Sequence, residues 1–193
     1  MRNRKQEITE YFKKLDRSFF MESHKELAIL DEAIPIGHDQ TISQPSLVLK
    51  MTLALDLQDS SKVLEIGTGS GFQTALLAKF SNEVFTVERI EDLHTKAKER
   101  LSAAGFTNIH LKLDDGSMGW PENAPYDRIM VTAAASVVPK ELVDQLGNGG
   151  KMVIPVGASD FQELLRIEKD ADGKVSSAVI DHVRFVPLKG KYE

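Results

Sequence analysis

Three glycines at alternate positions, Gly67, Gly69 and Gly71 in VLEIGTGSGFQTALLA (63–78), follow a short apolar run and precede a helix-like one. At the end of a strand, such glycines let a ligand approach the main chain with no Cβ in the way. The spacing is not the G-x-G-x-x-G of dinucleotide sites, because Phe72 stands where the third glycine belongs, and no G-x-x-x-x-G-K-[ST] phosphate loop occurs. Charge narrows the ligand further. Glu65, two residues ahead of the first glycine, would repel a pyrophosphate and attract an ammonium or a sulfonium. Glu88, 21 residues after Gly67, closes a second strand, where a carboxylate can accept both hydroxyls of a ribose. Asp115 and Gly116, in LDDG, close a third, where side chain or backbone can meet an adenine amino group. Singly, these features also read as a turn, a surface strand end and a second turn. Together, at the ends of three successive strands, they predict S-adenosylmethionine as the ligand.

Those strand ends require a particular scaffold. KVLEI, EVFTVE, IHLKL and YDRIMVTAA read as strands, interleaved with helical GFQTALLAKF and IEDLHTKAKERLSAAG and followed by helical PKELVDQL and a GNGG turn. The alternation predicts an α/β fold: a Rossmann-like, doubly wound, mostly parallel sheet with helices on both faces. GKMVIPVG, QELLRIEKD and KVSSAVIDHVRFVPL have no helices between them, which predicts an antiparallel C-terminal finish. Upstream, residues 7–30 carry apolar side chains at helical intervals, predicting one or two short helices. EAIPIGHDQTISQP, with Pro35, Gly37 and Pro45, reads as a loop, and SLVLKMTLALDL as a helix. With no repeat and no long linker, one domain is expected over 1–193. Residues 1–60 form N-terminal helices and a covering loop, and 61–193 form the core.

Composition excludes other classes. A chain of 193 residues, 41% hydrophobic and 27% charged, is that of an ordinary globular protein. A net charge of -5 and a pI of about 5.6 argue against a nucleic-acid partner. The absence of cysteine removes disulfides, thiolate nucleophiles and thiolate metal ligands, and the five histidines show no ligand spacing, so no metal is expected. No apolar stretch approaches the ~20 residues of a membrane span or forms a secretory signal, so no membrane partner is expected and the predicted location is cytoplasmic.

Seven blocks then add up. AIPIGHDQTISQP, VLEIGTGSGFQ, VFTVERIEDL, DDGSMGWPENAPYDRIMVTAAA, VP, GNGGKMVIPVG and VRFVPL, across residues 33–188, resemble the protein-L-isoaspartate O-methyltransferase family, which methylates isomerised aspartates in damaged proteins. The resemblance implies that Gln40, Thr41, Ile42 and Ser43 close over the cofactor and meet the acceptor, with Ser43 as the active-site residue. It implies that Gly67, Thr68, Gly69, Ser70 and Gly71 underlie the methionine portion, Glu88 and Arg89 the ribose, and Asp115 and Gly116 the adenine. Thr132 and Ala133, with Val138 and Pro139, would face the substrate. The family usually has Gly-x-Gly-Gln where this chain reads Gly37-His38-Asp39-Gln40.

The expected chemistry asks little of side chains. Methyl transfer from a sulfonium to a carboxylate oxygen uses a nucleophile already ionised, its reference pKa being near ~3.9. No general base is needed, and alignment can supply ~7–11 kcal/mol. Ser43 would orient the acceptor by a hydrogen bond, or cap the helix that follows it. Asp39 would oppose an anionic acceptor, or sit in a turn facing water. A methyltransferase with another acceptor, and an S-adenosylmethionine-binding protein with an impaired acceptor side, are the competing functions.

Overall fold

A computed structural model of the chain describes residues 3–158 and 161–192. The N-terminal segment is a helix, α1 (Arg4–Phe12), two 3-10 turns (Arg17–Phe20 and Lys25–Ile29), a hairpin of β1 (Ile34–Gly37) and β2 (Gln40–Ile42), and α2 (Pro45–Leu55). Then come β3 (Lys62–Ile66), α3 (Phe72–Lys79), β4 (Glu83–Glu88), α4 (Glu91–Ala103), β5 (Ile109–Leu113), β6 (Tyr126–Val131) and α5 (Lys140–Gln145). β7 (Leu146–Ala158), β8 (Phe161–Lys169) and β9 (Val175–Val183) follow.

The seven-stranded sheet has the order β5-β4-β3-β6-β7-β8-β9. β3, β4, β5, β6 and β7 pair in parallel, and β8 and β9 are antiparallel, as the loss of intervening helices predicts. Strand order reverses between β3 and β6. In such sheets a crevice opens there, outside the carboxyl ends of the strands. β3 supplies Val63 to one core cluster, with Ala75 and Leu76 of α3, and Leu64 and Ile66 to the other, with Ile129 and Leu142. Ile8, Phe20 and Met21 join the first cluster, so the N-terminal segment packs onto the sheet's α3 side.

Two local expectations change. The stretch 33–45 is not an open loop, because β1 and β2 pair antiparallel with Gly37 opposite Gln40. The two-residue turn between them, His38 and Asp39, has φ of +53° and +57°. Positive φ at both centres is the mirror-image turn whose twist suits a hairpin. The GNGG segment lies within β7, where the register with β6 passes from Tyr126–Leu146 to Arg128–Lys151 through a bulge.

Candidate active site

Gly67, Gly69 and Gly71 all have positive φ, at +95°, +54° and +88°. At Gly67 the requirement is also steric: an added Cβ would lie 2.3 Å from Thr132 Oγ1. That hydroxyl, just past β6, donates to the carbonyls of Ile66 (2.9 Å) and Gly67 (2.7 Å), while the Gly67 N–H donates to Val87 O at 2.9 Å. The loop is thus tied to both neighbouring strands. Glu88 is 6% exposed. Its Oε2 accepts the Gly69 N–H at 2.8 Å and its Oε1 the Ile90 N–H at 3.0 Å. Each oxygen keeps a lone pair, which suits a pair of vicinal hydroxyls.

These groups line a cavity of about 870 Å³. It brings together most residues singled out in the sequence: Gln40, Thr41, Ile42, Ser43, Gly67, Thr68, Gly69, Ser70, Glu88, Arg89, Gly116, Thr132 and Ala133. The volume is that of a small-molecule site. A Cβ on Gly116 would fall 2.6 Å from Ile66, so the backbone can form this wall only as glycine. Glycine-floored, with the Glu88 carboxylate keeping free lone pairs, the cavity has the shape and polarity for a nucleoside.

Six expected residues lie elsewhere. Glu65 is fully buried beneath the loop, where its Oε2 accepts hydrogen bonds from Thr74 (2.6 Å) and Thr86 (2.7 Å). Burial pushes its carboxyl up to about 8, against two hydroxyl bonds that lower it, so near neutral pH it is mostly uncharged and attracts no sulfonium. Gly71 is the residue before α3 and fits against Leu101, which an added Cβ would meet at 3.3 Å. The exposed Asp115 turns its carboxylate back to the Ser117 N–H at 2.9 Å, leaving Gly116 to reach the cavity. Pro139 is buried at the start of α5 and Val138 packs on the second core cluster. Asp39 sits exposed at the hairpin tip, away from the cavity wall, so the turn arrangement holds and the repulsion expected of it has no geometry behind it.

Ser43 lines the cavity and does not cap a helix: the residue flanking α2 is Gln44, with Pro45 in the first turn. The exposed Ser46 N–H is capped instead by Asp31, whose Oδ1 accepts it at 2.8 Å. Hydrogen bonds from Gln44 and Ser46 hold the Asp31 carboxyl below its usual range. Sequence reasoning also missed the wall opposite the loop. Asp181, His182, Phe185 and Leu188 line it, and Lys50 of α2 reaches Asp181 of β9 at 2.6 Å. RFVPL marked part of this wall as family-specific, but nothing in it identified a cavity. Arg17, in the first 3-10 turn, was not singled out either, its segment LDRSFF being only faintly similar to the family's basic-aromatic stretch.

A floor of glycines at the first crossover of a doubly wound sheet, with a ribose-ready carboxylate closing the next strand, defines the class of S-adenosylmethionine-dependent methyltransferases. Comparison narrows it. The model of the protein-L-isoaspartate(D-aspartate) O-methyltransferase family matches residues 1–193, and the chain belongs to that family. It is 50% identical over 188 residues to the protein-L-isoaspartate O-methyltransferase of Dictyoglomus turgidum, covering 97% of this chain and 85% of the relative. It is 51% identical over 171 residues to that of Vibrio parahaemolyticus, covering 89% and 81%. A solved protein-L-isoaspartate O-methyltransferase structure superposes with a TM-score of 0.84 at 25% identity, over 97% of this chain and 67% of that one. A Plasmodium falciparum structure, described as a putative family member in complex with S-adenosyl-L-homocysteine, shares the fold at a TM-score of 0.76 and 24% identity, over 97% and 99%.

Proposed function

We infer that this chain transfers the methyl group of S-adenosylmethionine to the free carboxylate of L-isoaspartyl residues in damaged proteins and peptides. The observation that carries the reading is a single cavity running from Glu88 and the glycine loop to Ser43, Thr132 and Ala133. Family membership supplies the acceptor class.

When bound, S-adenosylmethionine supplies an electrophilic methyl on a sulfonium. The rest is positioning. Glu88 would hold the ribose by charge-assisted hydrogen bonds, Gly67, Thr68, Gly69 and Ser70 would lie under the amino-acid end, and Gly116 would pack on the base; all of them line the cavity. Arg89 borders the ribose end from solvent. On the acceptor side, the Ser43 hydroxyl would donate to one oxygen of the incoming carboxylate and so fix its orientation in the cavity. An aspartyl-type acid is ionised at neutral pH, so the site needs no base. The acceptors are proteins and peptides, and the cytoplasm expected from the sequence remains part of this reading.

The test is a methylation assay on an isoaspartyl peptide beside its normal aspartyl twin. Methyl incorporation into the first alone is expected. Equal incorporation, or none in a protein that binds S-adenosylhomocysteine, would overturn the acceptor assignment.

A further inference from the structure

Arg17 is a buried cation, 5% exposed, and among the described residues no carboxylate is hydrogen-bonded to it. Its two terminal nitrogens donate to five main-chain carbonyls instead. Nη1 reaches Ala28 (3.3 Å) and Leu30 (3.1 Å), while Nη2 reaches Glu32 (2.7 Å), Ile42 (3.3 Å) and Ser43 (3.1 Å). Its Nε is buried without a partner. A buried charge left unpaired by an opposite charge is costly, and a structural staple could be made with neutral donors.

The orientation of the peptides it holds gives that charge a direction. The Ile42 carbonyl shares its peptide group with the Ser43 N–H, and the Ser43 carbonyl with the Gln44 N–H. With the guanidinium on the carbonyl side, both N–H ends point away from it. They find no backbone acceptor among the described residues, and both residues line the cavity. A cation behind two aligned peptide dipoles makes their N–H ends stronger donors to an anion. α2, which begins at Pro45, adds the positive end of its dipole to the same place. Arg17 itself does not line the cavity.

We propose that Arg17 is a positioning residue for the acceptor: through the Ile42–Ser43 and Ser43–Gln44 peptide groups, its charge selects the free carboxylate of the isoaspartyl residue at Ser43. The inference rests on the acceptor reading of Ser43 given above. Asp31 is the acidic group whose charge reaches Arg17, and it caps α2 beside the same peptides.

The experiment measures binding of two peptides to the S-adenosylhomocysteine-loaded protein: an isoaspartyl peptide with its free carboxylate, and the same peptide as the neutral carboxamide. The parent protein should prefer the acid by about tenfold. In Arg17→Gln the acid should weaken about tenfold while the amide stays within about twofold, whereas Arg17→Lys, which keeps the charge, should retain the preference at a lower Tm. Asp31→Asn should tighten the acid about two- to threefold and leave the amide unchanged. Equal weakening of both peptides in Arg17→Gln, or loss of the preference in Arg17→Lys, would reduce Arg17 to a staple and overturn the proposal. If Arg17→Gln does not fold, Asp31→Asn decides, and unchanged acid binding overturns it. A parent protein that binds acid and amide equally contradicts the acceptor reading itself, before any variant is made.

Discussion

Glu88 and Arg17 are both buried charges beside one cavity, 6% and 5% exposed, and they are held in opposite ways. Glu88 ends a central strand and is fixed by two backbone N–H groups, one only two residues away and one in the glycine loop it faces. Arg17 lies in an irregular segment and is fixed by carbonyls spread from Ala28 to Ser43. On the proposed assignment, the half that would hold the cofactor is therefore built into the sheet, and its geometry follows from strand ends. The half that would take the acceptor is assembled from the 3-10 turns, a short hairpin and the start of α2, and depends on contacts distant in sequence.

The buried acid under the cofactor half offers the largest effect. Glu65 has an ordinary carboxyl value of 4.5 when unfolded and about 8 when folded. Below 4.5 both states hold the proton; between 4.5 and about 8 only the folded state does, so stability falls as pH rises, and above about 8 the loss levels off. The accumulated loss is on the order of 4 kcal/mol. Urea unfolding of the parent and Glu65→Gln from pH 4 to 9 should show the variant gaining on the parent across that window. A constant difference would mean that Glu65 is ionised in the folded state.

Gly67→Ala attacks the same half sterically. With φ of +95° and a Cβ 2.3 Å from Thr132 Oγ1, it should cost about 3 kcal/mol and weaken cofactor binding. Thermal unfolding with and without S-adenosylhomocysteine checks both. A variant with parental Tm would show that the loop is less tightly tied than its hydrogen bonds to Thr132 indicate.

The smallest effect belongs to the hairpin tip of the acceptor half. Asp39→Gly relieves a positive φ but loosens the unfolded chain, so it should stabilise by about 0.5–1 kcal/mol at most. Turnover on an isoaspartyl peptide should stay within about twofold, since Asp39 is off the cavity wall. A several-fold faster variant at low salt would restore the repulsion expected from sequence.

This contrast also explains what was legible. Glu88 and Gly116 end strands whose alternation and spacing are plain in EVFTVE and IHLKLDDG, so position alone led to the cavity. Glu65 lies one residue short of the end of β3, but alternation places it with Val63 on the α3 face, beside Thr74. Nearness to the glycines in sequence did not reveal that face. β1 and β2 escaped because a four-residue and a three-residue strand containing Pro35 and Gly37 offer no period to read. Ser43 was legible only through family resemblance, since a serine before proline also signals a helix start. Arg17, which nothing in the sequence singled out, becomes meaningful only when five carbonyls converge on it.

The central claim is that the two halves of this cavity do separate work, and crossing two variants tests it most directly. Cofactor affinity by calorimetry and KM for an isoaspartyl peptide are measured on parent, Glu88→Ala and Ser43→Ala. Glu88→Ala should lower cofactor affinity by roughly one to two decades, because a charged hydrogen bond contributes about 1.5–3 kcal/mol. Its KM for the peptide, at saturating cofactor, should barely move. Ser43→Ala should lower kcat/KM for the peptide with cofactor affinity within a few-fold. Parental cofactor affinity in a folded Glu88→Ala protein, or intact peptide kinetics in Ser43→Ala, would contradict the assignment of the halves.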